Sequence, residues 1–485
     1  MMFFPINVWI VMPLVIITLM LASLVKAKKA KLICIVIMTV FIVMEIISIY
    51  FSGGFIDYQF FVNLNINDIW EGLLIFKLQA LLTVVVFFSF IFLLTKLSVI
   101  CQNKINVQIR LMILVIMAMS LNYHHGPFDK LTELYQVTSA PKQDFSQALA
   151  TLKMQDYPHK DQLSASKGKN IIVISLESFE QGFLDFNQLT PNLNQLRQKY
   201  DFYGDIPMGK GSSWTTASMY TYMTGIPFLV GGIRTMPFAP YSQTQLVTLP
   251  DVLHKADYQT RYIIGGPTFA GIGHVISMFD VDIISEANYQ GQYPQAPFGL
   301  YDKDIFAIAK RQINELSDSD KPFALFISTI STHAPSGFYD QRMEKVIDKR
   351  DDNMEFVAAS LDYNLGQFMN YLEEKGLLEN TVFYIFPDHL MMGAGTPTIA
   401  KLSEKPRSLY LITNASKSDL GQYAAMPNNI YQLDMPRIIL NGADVKSNAK
   451  FWTDYLNIEK GNNRAEYVEQ VLTNLATLNR SAALP

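Results

Sequence analysis

Four apolar stretches fill the first quarter of this chain and constrain its fold more than any other feature. They run roughly Ile6–Val25, Leu32–Phe51, Leu73–Leu94 and Ile105–Tyr123, each near the ~20 residues a helix needs to cross a bilayer. Val8 to Val25 carries no charge, and neither does Leu32 to Val43. Lys77 and Arg110 fall near segment ends, where a long cation can reach the interface. Helices buried in a soluble protein rarely stay apolar all round over such lengths. A cleavable signal peptide fits poorly, because the first segment lacks a basic start and further apolar segments follow it. The expectation is an N-terminal transmembrane α-helical bundle of about four helices over residues 1–123.

The connections between these segments orient them. Lys26, Lys28, Lys29 and Lys31 crowd the first, and Lys96, Lys104 and Arg110 populate the third. The second, from Ser52 to Trp70, has Asp57 and Asp68 but no Lys or Arg. The positive-inside rule then places the first and third connections in the cytoplasm. Everything after about Tyr123 is expected outside, facing the periplasm or exterior, with the chain a multi-pass membrane protein. ATP is scarce there, so an activated donor has to come from the membrane itself. The 485 residues suffice for two or three domains. A net charge of −4 gives nucleic acid no electrostatic hold. The only cysteines, Cys34 and Cys101, lie in or beside the apolar region, so the soluble part has no disulfide framework and no cysteine metal site.

Residues 124–169 are polar, contain Pro127, Pro141 and Pro158, and read as a linker with some helix. The pattern changes at Asn170. Ile171 to Leu176 is a continuous apolar run of the kind buried on both faces of a parallel sheet. Similar runs occur at Arg261–Ile264, Phe323–Ile330 and Thr381–Phe386, with helical patterns such as Leu249–Ala256 and Met354–Glu374 between them. Alternation of this kind predicts an α/β domain with a mostly parallel central sheet.

The residues that follow these strands carry the chemistry. Glu177-Ser178 follows the first, Thr332-His333-Ala334-Pro335 the third and Asp388-His389 the fourth. Ligands of open α/β sheets bind outside the carboxyl ends of the strands, so Glu, His and Asp-His would meet on one rim. Carboxylates with imidazole suit Zn²⁺ or Mn²⁺. A separate segment, Gly209 to Met219, starts with glycines and hydroxyls and continues as a helix to Met223. A hydroxyl at a helix start sits among free amides, where a phosphate can be held. An ordinary N-cap is the commoner role for any one Ser or Thr in such a place.

Together these residues resemble the alkaline phosphatase and sulfatase superfamily, in its membrane-anchored phosphotransferase branch. That branch includes lipoteichoic acid synthase, lipid A phosphoethanolamine transferase and the phosphoglycerol transferase of periplasmic glucans. The resemblance rests on Asn170–Glu177, Thr190-Pro191-Asn192-Leu193, Thr381–Leu390 and Gln432–Pro436. It implies a sulfatase-like catalytic domain over 170–445, followed by a C-terminal helical extension over 446–485. Gly211–Met219, Gly225-Ile226-Pro227, Phe298–Asp302, Thr332–Phe338 and Asp388–Met392 are most similar to the phosphoglycerol transferases.

The resemblance implies Glu177, Thr215, Asp388 and His389 as ligands of one divalent ion, Mn²⁺ or Zn²⁺, with Thr215 also the nucleophile. His333 would contact the phosphoryl group or the leaving oxygen, and Trp214 would join it in binding substrate. Where relatives carry a basic residue after Phe269-Ala270-Gly271, this chain has Ile272, and His274 is the candidate replacement. The implied reaction moves phosphoglycerol from phosphatidylglycerol to an extracytoplasmic glycan through a phospho-threonine, releasing diacylglycerol, at the inner membrane of a bacterium. The first alternative is a phosphoethanolamine transferase acting on lipid A or another surface glycan, but those relatives have disulfide-rich soluble domains. The second is a phosphodiesterase or sulfatase-type hydrolase, but no C/S-x-P-x-R context surrounds Thr215. The third is a non-catalytic membrane sensor, against which all four implied ligands are retained.

Overall fold

Apolar helices do form in the first segment of the chain. The computed structural model describes residues 11–52, 54–62, 69–70, 73, 76–122, 126–186, 188–229, 243–266, 271–393, 397–425, 430–456 and 464–484. Ile6, Tyr123 and the pair Phe269-Ala270 lie outside these described residues. Two compact units result, Met1–Gln136 with Met392–Gly395, and Val137–Met391 with Thr396–Pro485.

The first unit contains α1 (Met12–Leu24), α2 (Lys28–Ser52), α3 (Lys77–Lys104) and α4 (Val107–Asn122). Among the described residues, α2 and α3, with 25 and 28 residues, are long and apolar enough to cross a membrane. Within the described residues α1 and α4 have 13 and 16 residues. α1 packs against the other three, burying Leu14 against Ile42, Ile49 and Leu121. The outer faces of α3 and α4 remain apolar, with Leu81, Phe88, Phe92 and Met119 all more than half exposed. A surface of that kind suits hydrocarbon better than water.

Two polar contacts join the first and third connections at one end of this bundle. Lys31 Nζ donates to Gln102 Oε1 at 2.5 Å. Arg110, expected to reach out to the interface, is instead buried and donates to the Ser23 carbonyl at 2.5 Å. The reason is local: the last carbonyls of α1 have no helical donor, and a guanidinium supplies one.

The second unit is built on a seven-stranded sheet. Its strands are β1 (Asn170–Leu176), β2 (Asp201–Ile206), β3 (Gln259–Ile263), β4 (Asp282–Ile284), β5 (Phe323–Ser328), β6 (Thr381–Pro387) and β7 (Leu409–Thr413). The order is β2-β7-β6-β1-β5-β3-β4. β6, β1, β5, β3 and β4 are parallel, and β7 runs antiparallel to both β6 and β2. The sheet is therefore mostly parallel, as expected. Every residue of β5, β6 and β7 is buried, and in β1 only Asn170 is not. Central strands covered on both faces need that composition.

Helices cover the sheet. Among them are α5 (Thr215–Thr224), α6 (Ile272–Ser277), α7 (Asp302–Ser317), α8 (Asn353–Glu374), α9 (Met435–Gly442) and α10 (Leu472–Ala482). α8 starts where Asp352 Oδ1 accepts the Met354 amide, an N-cap that satisfies one orphan donor. α5 ends at Gly225, whose φ of 69° is left-handed. A Cβ there would meet Phe451 Cβ at 3.1 Å and the Leu433 carbonyl at 3.2 Å, so only glycine closes this helix without displacement.

The polar stretch before the sheet is partly built into this unit. The helix Phe145–Thr151 packs against α10, and the Tyr157 hydroxyl accepts the Val247 amide at 2.8 Å.

Candidate active site

Parallel pairing determines which side chains meet. Leu176 of β1 is in register with Pro387 of β6, and Ser175 with Ser328 of β5. The residues that leave these three strands therefore emerge together on one rim. Glu177 and Asp388 are the first to do so, and their backbones are tied down. The Glu177 amide donates to Thr329 Oγ1 at 2.9 Å, and the Asp388 amide to the Leu176 carbonyl at 3.1 Å.

Glu177, Asp388 and His389 are all buried, and their ligating atoms lie within 4.8 Å of one another. His389 Nε2 is 3.5 Å from Glu177 Oε1 and 3.5 Å from Asp388 Oδ2. The other ring nitrogen, Nδ1, is 2.8 Å from the Leu390 carbonyl. A carbonyl can only accept, so Nδ1 carries a proton there, and Nε2 is the nitrogen that faces the carboxylates. Ring orientation of this kind accompanies metal-binding histidines.

Burial and the nearby Glu177 charge push the Asp388 carboxyl well above the usual carboxylate range. Two buried carboxylates and an imidazole converge on one point, where a cation would balance the acidic charge. The donor set of oxygen and nitrogen fits a divalent ion such as Zn²⁺ or Mn²⁺.

The hydroxyl-rich segment enters the same rim. Trp214 is the extended residue before α5, and Thr215 is its first helical residue. Thr215 Oγ1 donates to Glu177 Oε2 at 2.9 Å and lies 3.3 Å from His389 Nε2. Of the other hydroxyls nearby, Ser212 Oγ donates to Thr221 Oγ1 at 2.8 Å and Thr216 is fully buried. Thr215 is only half-buried. Thr215 thus meets the acidic cluster and remains open to solvent.

The other expected residues sit differently. His333 is half-buried on the loop after β5, its Nδ1 2.7 Å from the Ala334 carbonyl. Its ring stacks on Phe338, with centroids 5.8 Å apart, and meets the edge of Phe298 at 4.9 Å. It is not one of the three clustered metal-ligand candidates. Trp214 is buried with its ring edge-on to Phe228. Ile272 is a buried core residue of α6, and His274 is exposed two positions later. α6 packs against α5, but His274 is no part of the acidic cluster.

With this geometry in hand, the comparisons with known proteins are specific. The sulfatase family model matches residues 169–435, more than half of the chain. The chain belongs to the sulfatase family. It is also 28% identical over 242 residues to a phosphoglycerol transferase I of Xanthomonas campestris pv. campestris, covering 47% of this chain and 34% of that protein. The chain thus spans about a third of the length of that relative. A lipoteichoic acid synthase of Listeria monocytogenes superposes with a TM-score of 0.49 at 16% identity, covering 66% of this chain and 79% of that one. A lipooligosaccharide phosphoethanolamine transferase A of Neisseria meningitidis gives a TM-score of 0.49 at 11% identity, covering 88% and 86%.

Several residues organise the rim of this sulfatase-family domain in roles that no local sequence pattern assigns. Ser178 adopts a φ of 55°, an uncommon conformation for a residue with a Cβ. The turn brings its amide to Asp388 Oδ1 at 2.8 Å and its hydroxyl to Glu177 Oε1 at 2.7 Å. Glu180 is fully buried, accepts Arg407 Nε at 2.9 Å and takes the Met391 amide at 2.8 Å. No local pattern announces a pair 227 positions apart. Asp302 Oδ1 accepts the Ile330 and Ser331 amides at 2.8 and 3.0 Å, shaping the loop that carries His333. Burial pushes the Asp302 carboxyl up to about 6. Asp302 ends a string quoted above for its family likeness, and that string was the available signal.

Proposed function

We propose that this chain transfers a phosphoglycerol group from phosphatidylglycerol to a glycan outside the cytoplasm, through a phosphodiester on Thr215. The observation that carries this reading is the Thr215 hydroxyl at a helix start, 2.9 Å from Glu177 and beside a buried Glu-Asp-His cluster. Similarity to a protein named phosphoglycerol transferase I supports the choice of group.

In the first step Thr215 Oγ1 attacks the donor phosphorus. Its proton leaves toward Glu177 Oε2, the acceptor it already has. The bond from phosphorus to the diacylglycerol oxygen breaks, and that oxygen takes a proton from His333. In the second step an acceptor hydroxyl attacks the same phosphorus and gives its proton to His333, the bond to Thr215 breaks, and Thr215 Oγ1 takes back the proton held by Glu177. Glu177, Asp388, His389 and Thr215 would hold the divalent ion, which when bound lowers the hydroxyl pKa and offsets charge on the phosphoryl oxygens.

The amides at the start of α5 are not used by the helix itself and suit an anionic group. The two cysteines are free and lie in α2 and α3, unlike the disulfide-rich soluble domains of phosphoethanolamine transferases.

The test uses purified full-length protein in mixed vesicles with head-group-labelled phosphatidylglycerol and phosphatidylethanolamine. Diacylglycerol release from phosphatidylglycerol is expected to dominate. Preference for phosphatidylethanolamine, or release from neither, would overturn the reading. Ile272 and His274 make the head group the discriminating measurement.

The donor is a membrane lipid, so the catalytic unit has to face the leaflet that supplies it. We place it outside the cytoplasm at the inner membrane of a bacterium, with four spans. The lysine-rich first connection and its contact with the third through Lys31 and Gln102 support that arrangement. Alkaline phosphatase fused after Lys169 should be active. An inactive fusion, with a cytoplasmic reporter active at the same site, would reverse the orientation.

A further inference from the structure

One buried side chain touches both halves of the rim. Gln432 stands on the short turn Gln432–Asp434 that precedes α9, and it is 5% exposed. Its Nε2 donates to the Asp388 carbonyl at 2.6 Å and lies 3.3 Å from the Ser212 carbonyl and 3.2 Å from Ser218 Oγ. Its Oε1 accepts the Gly209 amide at 3.1 Å. Ser212 and Ser218 stand three residues before and three after Thr215, and Asp388 is one of the clustered carboxylates. A single amide thus spans the segment that carries the hydroxyl and the strand end that carries the acid.

The turn holding Gln432 is itself rigid. Asp434 is fully buried and accepts both Arg464 Nη atoms at 2.8 and 2.9 Å and the Tyr431 amide at 2.8 Å. Arg464 also lies over the Tyr431 ring, 4.3 Å from its centroid. The Asp388 peptide is meanwhile fixed from every side. Its amide binds the Leu176 carbonyl, its Oδ1 accepts the Ser178 and His389 amides, and its carbonyl accepts Gln432. Rotation of that peptide would swing His389, and the Gln432 amide ties it to the segment around Thr215 through Ser212 and Ser218.

We infer that Gln432 is a positioning residue that sets the separation between Thr215 and the Asp388–His389 pair. The inference rests on the reading of Thr215 as nucleophile. It acts through geometry: near-attack placement within a fraction of an ångström controls the chemical step, whereas donor binding depends on other contacts. Gln432→Met keeps the length and removes all four contacts. Gln432→Glu keeps an acceptor for Gly209 and removes the N–H donors. Ser218→Ala removes one acceptor of the three.

Each variant is made in the full chain and checked for folding by circular dichroism. Diacylglycerol release from phosphatidylglycerol should fall by about 100-fold in kcat for both Gln432 variants. KM should stay within about threefold, because uniform binding is untouched. The visible spectrum of the Co²⁺-loaded protein should shift, since Asp388 and His389 are displaced. Ser218→Ala should leave kcat within about threefold, one neutral hydrogen bond being the only loss.

Near-normal kcat in a folded Gln432 variant overturns the inference, and so does a fall in kcat with an unchanged Co²⁺ spectrum. If Gln432→Met does not fold, Gln432→Glu decides by the same two readings. If wild-type protein releases no diacylglycerol, the transfer reading fails and the Co²⁺ spectrum alone decides the positioning role. A shift upholds that role and no shift removes it.

Discussion

Thr215→Ala is expected to stop turnover almost completely while leaving the domain folded. The hydroxyl is half-buried and makes its hydrogen bond to Glu177 rather than to the backbone. Removing it takes no cap from α5, because the residue in the cap position is Trp214 and its side chain makes no capping bond. The stability cost should therefore stay near the about 0.5–1.5 kcal/mol of an ordinary hydrogen bond. Catalysis has no such tolerance. Without Oγ1 no phosphodiester forms, and loss of a nucleophile commonly removes three or more orders of magnitude, so a fall of at least about 1000-fold is expected. Mass spectrometry of wild-type protein trapped with donor should find glycerophosphate on the peptide containing Thr215. An adduct on Thr216, or a Thr215→Ala variant with near-normal turnover, would falsify the assignment. Thr216 is a poor substitute because it is fully buried and about 100° further round the helix.

Asp388→Ala should abolish divalent-ion binding as well as turnover. The substitution removes one carboxylate of the cluster and leaves the Ser178 and His389 amides without their shared acceptor. His389 then loses both a neighbouring ligand and the bond that fixes its backbone. Loss of a supporting group alone typically costs 10–100-fold in metal affinity, so loss of a ligand should exceed about 100-fold. Isothermal titration of chelator-stripped protein with Zn²⁺ and with Mn²⁺ reads this directly. Asp388→Asn is the control, since its side-chain oxygen still accepts both amides. If Asp388→Ala binds either ion as tightly as wild type, the cluster is not the metal centre.

The parts of this architecture legible from sequence are those written in contiguous residues. β1, β5 and β6 are unbroken apolar runs, and each is followed at once by a polar residue of the rim. The helix Asn353–Glu374 shows its period over 22 residues. β2 and β4 were not legible, because edge strands are short and half polar: Asp201–Ile206 reads Asp-Phe-Tyr-Gly-Asp-Ile, and β4 has three residues. β7 is wholly buried, but its five residues are too few to distinguish from a buried helical turn by pattern.

At the rim, Glu177, Asp388 and His389 could be named because each follows a strand. The choice of Thr215 over Ser212, Ser213 and Thr216 came from family likeness, since position along a helix says nothing about what faces it. Gln432, Arg407 and Glu180 act across more than 40 positions of sequence, and only the packed domain brings them together. The cation Arg110 was legible as a residue near a segment end, but its burial against Ser23 depends on how α1 and α4 lie side by side.

The left-handed residue that closes α5 has a consequence for how this segment can change over time. Gly225 is fitted against Phe451 and the Leu433 carbonyl at one end of the helix, and Thr215 is bonded to Glu177 at the other. The ten-residue helix that starts at the Thr215 anchor and stops just before the Gly225 anchor is a spacer of constant length. Adding or deleting one residue would turn one anchor by about 100° relative to the other, breaking either the glycine fit or the hydroxyl contact. Descendants of this chain are therefore free to exchange side chains along α5, but insertions and deletions have to fall outside it.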